Sequence, residues 1–373
     1  MLRRRMLLLA PIMLVAILTV IMPMMAMATG SSYIGQFSHI SQLASTVPSN
    51  GDVNPYGVAV VPHTVGNLTQ GNVLVSNFNA SSNLQGTGTT IVQVTPSGQM
   101  TLFAQIDAST LPGPCPGGVG LTTALVVLQR GWVIVGSLPT SDGTAATAKA
   151  GCLIVLNSMG KVVETFSGAL INGPWDMAAF DQNAVAALFV TNVLNGTVAG
   201  NGQVVNKGTV LRIVLKVPNQ GNGLPSRVST TVIGSGFSER TDPAALVIGP
   251  TGVALGSNET LYVADSLNNR IAAIPNALDR NTTAHAGNDV TSNGDLNDPL
   301  GLTLAPNGDI LTVNGNNGKI VETTQGGTQI AHKFLDTSGS PKGAGTLFGL
   351  AIIPGGKGVY FVDDGTNTLN VLN

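Results

Sequence analysis

One short register recurs along this chain: a Pro or small residue, one variable residue, a Gly, then two apolar residues. It is clearest as Pro55-Tyr56-Gly57-Val58-Ala59, Pro250-Thr251-Gly252-Val253-Ala254, Pro299-Leu300-Gly301-Leu302-Thr303 and Leu347-Phe348-Gly349-Leu350-Ala351. It recurs more loosely as Gly118-Val119-Gly120-Leu121-Thr122 and Pro174-Trp175-Asp176-Met177-Ala178. The anchors Gly57, Gly120, Asp176, Gly252, Gly301 and Gly349 lie 63, 56, 76, 49 and 48 residues apart. A unit of this length cannot bury its apolar faces alone, so units stacked around an axis are the expected solution.

Each unit reads as short strands separated by turn residues. The fourth unit runs from Gly252-Val253-Ala254-Leu255 through Leu261-Tyr262-Val263 to Arg270-Ile271-Ala272-Ala273-Ile274, with Asn268-Asn269 supplying hairpin-turn chemistry. Outer strands follow in most units, the weakest being residues 282–286 of the fourth. The sixth unit stops short, with 24 residues after Gly349. A propeller with an unfinished blade would expose an open strand edge, and an orphan strand at residues 37–43 is the expected filler, pairing with residues 368–372. The predicted fold is therefore all-β: a six-bladed β-propeller of four-stranded antiparallel blades, closed by an N-terminal strand joining the C-terminal blade. The longest insertion, residues 194–208 and 221–241, reads as surface loops rich in Gly and Asn.

At the N-terminus Arg3-Arg4-Arg5 precedes an uncharged apolar run from Met6 to Met27 that ends in Ala26-Met27-Ala28. This is the pattern of a signal peptide over residues 1–28, leaving residues 29–373 as one propeller domain in a secreted or periplasmic protein. An uncleaved segment anchoring the chain to a membrane is the alternative. Cys115 and Cys152 are the two cysteines, and in an oxidising compartment a disulfide between them is expected. The whole chain has 17 basic against 19 acidic groups, and loss of Arg3, Arg4 and Arg5 leaves 14 against 19. Without a Lys/Arg cluster to neutralise phosphates, nucleic acid is excluded as a partner. A monomer is expected.

The stretch Leu261-Tyr262-Val263-Ala264-Asp265-Ser266-Leu267-Asn268-Asn269-Arg270-Ile271 resembles the core of an NHL repeat, and Leu296-Asn297-Asp298-Pro299-Leu300-Gly301-Leu302 resembles the lead-in to the next. Blades two and three depart from that pattern: Gly136-Ser137 and Thr191-Asn192 replace Ala-Asp, and the Asn-Asn-Arg turn is missing. The resemblance implies a six-bladed form shared with gluconolactonase/regucalcin-like and strictosidine-synthase-like propellers. It does not by itself imply an activity. The lactonase-like members carry a Glu-Gly-Pro metal ligand at the first inner strand; here Asn54-Pro55-Tyr56-Gly57 stands there, with no glutamate.

Two sets of residues invite functional reading. Asn77, Ser137, Asn192, Asp265, Asn314 and Asp363 end the six second strands. Asn77, Asn192, Asp265, Asn314 and Asp363 would suit a hard cation such as Ca²⁺, or each would cap its own hairpin, the role that repetition in every blade favours. Apart from that possible Ca²⁺, no cofactor is expected. Trp175 and Asp176 break the Gly consensus, and with Tyr56 and Phe348 they form either an aromatic ligand-binding rim or a plug of the channel. The four histidines lie in an outer strand or loops without a placed nucleophile, so no catalytic triad is expected. The functional expectation is an exported binding or interaction module, taking a protein or a small-molecule or carbohydrate ligand at one face or the channel mouth. The alternative is a Ca²⁺-dependent hydrolase or lactonase.

Overall fold

Six antiparallel sheets surround one axis, five of them built from consecutive strands, with buried runs rich in Val, Ile and Leu. The structure is a computed structural model and describes residues 31–243 and 245–373; the expected signal peptide over residues 1–28 lies outside the described residues. Blade 1 runs from the inner strand Val53–Val60 through Val73–Asn79 and Thr90–Val94 to Met100–Gln105. The inner strands of blades 2 to 6 are Leu121–Val127, Pro174–Asp181, Pro250–Leu255, Pro299–Leu304 and Leu347–Ile352. The architecture is the expected six-bladed β-propeller.

Closure follows the expectation from the two ragged ends. Strand Ile40–Ser45 pairs antiparallel with Thr368–Leu372, Ile40 facing Leu372 and Ser45 facing Thr368, and completes blade 6. Just upstream, the fully buried Glu322 carboxylate of blade 5 accepts the Tyr33 and Ile34 N–H groups at 2.7 and 2.9 Å and the Ser32 hydroxyl at 2.6 Å. The chain's beginning is thereby pinned to blade 5 before it completes blade 6.

The recurring glycine has a steric cause. A Cβ at Gly301 would lie 1.9 Å from the Phe348 carbonyl oxygen, and one at Gly349 2.1 Å from that of Tyr56, so the inner strands approach too closely for any side chain. Hydroxyls pin other seams of the ring. Ser76 accepts the Gly57 N–H and donates to the Thr122 carbonyl of the next blade at 2.8 Å, and Thr191 likewise reaches the Thr251 carbonyl at 2.8 Å.

Three local expectations are corrected. Gly120 is not the counterpart of Gly57: Leu121 pairs with Ser137 and Leu125 with Val135, so blade 2 carries an extra residue between these pairs and its register shifts. The fourth strand of blade 4 is Asn288–Ser292, downstream of residues 282–286. Much of the presumed loop material in blade 3 is strand: Val205–Lys216 and Ser226–Asp242 form a long bulged hairpin, to which Leu246–Ile248 adds a fifth strand. Cys115 and Cys152 form the expected disulfide, Cα atoms 5.1 Å apart.

Because the neighbour at Gly301 is backbone, Gly301→Ala should cost about 3 kcal/mol of stability. Chemical denaturation measures this; a loss no larger than that of an exposed-loop glycine variant would contradict the steric reading.

Candidate functional site

The two ends of the axis differ chemically. At the end where inner strands begin, Tyr56 stacks on Phe348 with ring centroids 3.9 Å apart, on Phe78 at 4.4 Å, and lies 6.3 Å from Trp175. Tyr56, Trp175 and Phe348 are each 3% exposed. They share a core with Leu138, Leu300, Leu246 and Val247, the last two from the fifth strand at the base of the blade 3 hairpin. Of the two roles open to these aromatics, their packing matches the plug, and the hairpin folds over it as a cap.

The Asn/Asp set does not converge. Asp265 is fully buried, paired with Arg270 Nε at 2.7 Å and with the Asn268 amide. Asn77 donates to the Thr46 carbonyl at 3.0 Å, Asn314 to the Asp295 carbonyl at 2.7 Å and to Asn317, and Asp363 accepts the Thr366 N–H. Asn192 accepts the Asn172 N–H at 3.2 Å. Each is bonded to its own hairpin or the loop beside it and none to another member, so the donor set does not fit a shared Ca²⁺. Among the described residues no three His, Cys, Asp or Glu side chains are grouped to hold a metal ion.

Beside the hairpin cap lies a cleft of about 410 Å³ that sequence reasoning missed. Arg240 and Asp242 of the hairpin, 2.8 Å apart as an ion pair, form one wall. Asn269 of blade 4 and Asn297, Asp298 and Asn316 of blade 5 form the other, over a floor including Leu300 and Phe348. Asp298 sits at φ 57°, as Asn54 does at φ 62° in the equivalent place before the inner-strand proline. Its N–H donates to the Asn269 amide oxygen at 2.6 Å, while its buried Oδ1 has no hydrogen-bond partner. Burial pushes the Asp298 carboxyl up to about 6, with Asp242 adding to the rise and Arg240 opposing it. The one available signal was that Asn54 and Asp298 stand where blades 2, 3 and 4 carry Gly120, Gly173 and Gly249.

The opposite end of the axis is an open channel of about 380 Å³ between the C-terminal halves of all six inner strands. Asp176 lines it. Its Oδ1 accepts the Met177 N–H at 2.8 Å and its Oδ2 the Val253 N–H at 3.2 Å, which ties blade 3 to blade 4. Burial pushes this carboxyl up to about 8 against those two hydrogen bonds. Burial does the same to Glu239, at the base of the cap, up to about 8 against its bond from the Asn195 N–H.

These features define the class: a closed six-bladed β-propeller with a plugged and capped end that carries a polar cleft, and an open end that carries a single acid. No family model matches the chain, and no curated protein matches it in sequence. Among solved structures it is similar to a streptogramin B lyase, with TM-score 0.51 and 15% identity over 90% of this chain and 97% of the lyase. It is also similar to a gluconolactonase from Xanthomonas campestris, with TM-score 0.54 and 12% identity over 90% of this chain and 88% of that one. A regucalcin from Agrobacterium tumefaciens, described as a calcium-binding protein, gives TM-score 0.53 and 12% identity over 90% and 94%. Likeness at these identities is likeness of fold.

The raised carboxyls fix the sign of a pH effect. Folded, Asp176 and Glu239 keep protons that the unfolded chain releases near pH 4, so the folded state binds more protons between about pH 4 and pH 8 and stability falls as pH rises through that window. Thermal melts should therefore drop by several degrees from about pH 5 to about pH 9, and Asp176→Asn with Glu239→Gln should flatten the slope. An equally steep slope in the double variant would contradict the assignment.

Proposed function

We propose that this chain is an exported, monomeric binding module of the NHL-like kind, taking a small polar ligand in the cleft beside the cap, with a carbohydrate ring as the best-fitting chemistry. The observation that carries the reading is the unpartnered buried Oδ1 of Asp298 in a cleft with Arg240, Asp242 and three Asn side chains above an apolar floor. Sugar rings present hydroxyl edges to such amide and carboxyl groups and an apolar face to such a floor. The disulfide and the signal-like N-terminal sequence support export.

A second reading, hydrolysis of a lactone or ester in the same cleft, is favoured by Asp298 alone. A carboxyl raised to about 6 and reachable from a cleft is suited to general-base work near neutral pH. The neighbours described as gluconolactonases make that substrate class the first to try. The Ca²⁺-dependent form of the reading has no matching donor set in the residues named above.

A saccharide panel screened by calorimetry should yield a ligand whose affinity falls about tenfold in Asp298→Asn and in Arg240→Ala, each loss being that of one charge-assisted hydrogen bond. A ligand bound equally well by both variants would place binding elsewhere. Lactone turnover lost in Asp298→Asn would select the hydrolytic reading.

A further inference from the structure

The open channel is a second site, at the far end of the axis from the cleft, and its chemistry does not depend on what the cleft binds. Its wall is unusual for a protein interior. The inner strands pair on one side alone, so their other edges present peptide groups to the channel, flanked by residues such as Val58, Leu125, Val253 and Leu350. Among the described residues lining it, Asp176 is the one titratable group, and it has no cationic partner.

Two further features set this acid apart from a buried strand-capping residue. Both of its oxygens are held by backbone N–H groups from different blades, which fixes the carboxyl while leaving further lone pairs on each oxygen. The Thr123 hydroxyl, also on the channel wall and 4% exposed, has no hydrogen-bond partner. A fixed carboxyl, an unpartnered hydroxyl oxygen and strand-edge carbonyls form a set of acceptors awaiting a donor. Once ionised, this buried carboxylate would lack the cationic partner that such groups normally have.

We propose that the open channel binds a small primary alkylammonium cation, with the Asp176 carboxylate as its counter-ion and the Thr123 hydroxyl as a further acceptor. An ammonium brings three N–H donors to acceptors converging from several directions, and a short alkyl tail lies along the aliphatic flanks. A hard divalent cation is the poorer match, because Ca²⁺ draws on several carboxylate and carbonyl oxygens while this channel supplies one carboxylate. Because the bound form requires an ionised Asp176, ammonium and proton compete for the same group.

The probe is n-butylammonium chloride, titrated calorimetrically into the intact protein in low-salt buffer at about pH 9 and about pH 6; the probe stays protonated at both, as a lysine amine does. The expected result is saturable binding at the higher pH, weakened at least about tenfold at the lower one as Asp176 takes up its proton. Asp176→Asn should abolish binding at both pH values, and Thr123→Val should weaken it several-fold with the fold intact by circular dichroism. Absence of saturable binding at about pH 9, binding unchanged in Asp176→Asn or Thr123→Val, or equal displacement by Na⁺ or Ca²⁺ and by a second alkylammonium would each overturn the proposal. A saccharide bound in the cleft should neither compete with the probe nor depend on Thr123, so the two sites fail separately.

Discussion

The approach of one inner strand to the next around the axis governs the rest of this molecule. A β-carbon at Gly301 or Gly349 would meet a neighbouring carbonyl oxygen at about half the normal contact distance, so those two seams close only with glycine. Across other seams of the ring, the hydroxyls of Ser76 and Thr191 serve their own blade as acceptors and the next blade as donors. Ser266 reaches the Pro299 carbonyl in the same way at 2.7 Å. Where blade 3 abandons the glycine, Asp176 substitutes a side-chain bond to the Val253 N–H for the lost close packing. A structural seam and a lone channel acid are thus the same residue.

Closing the ring leaves its two ends unequal. The N-terminal segment is fastened to Glu322 in blade 5 and then supplies the outer strand of blade 6, so the last blade has no unfinished edge facing solvent for want of a partner. Blade 3 sends its long hairpin over the axis, and Leu246 and Val247 complete an apolar plug around Tyr56, Trp175 and Phe348. The plug seals one end against water. It also raises the walls of the cleft where Arg240, Asp242 and Asp298 meet.

Only 10% of the residues are charged, so each buried ionisable group stands out. Those at the axis follow one physical rule: desolvation disfavours the carboxylate, and the nearby donors compensate only in part. At Asp265 burial again raises the carboxyl, and here a cation joins the groups that oppose the rise. There Arg270 supplies the compensating charge and the pair locks a hairpin, which accounts for the most repeat-like stretch of the sequence in structural terms.

Much of the ring could be read from residues alone, because the constraint behind it is local and repeated. The inner-strand anchors mark blades at intervals of 48 to 76 residues, the two ragged ends imply a shared blade, and two cysteines in a chain with a signal-like N-terminal sequence imply one disulfide. What escaped were matters decided between distant segments. The extra residue in blade 2 moves the register away from Gly120, and Ser226–Asp242 extends as strand because Val205–Lys216 lies beside it to pair with. The repeat put Tyr56, Trp175 and Phe348 at one end of the axis, but whether they line a rim or bury one another depended on their packing. The cleft joins residue 240 to residues 297, 298 and 316 only once the hairpin has folded over the axis. Spacing along the chain determined how many blades there are, since four of the six blades meet the same steric demand, at Gly57, Gly252, Gly301 and Gly349. Which side chains share a cavity was decided by the tertiary structure, since that depends on how the blades' loops and one long hairpin pack over a common axis.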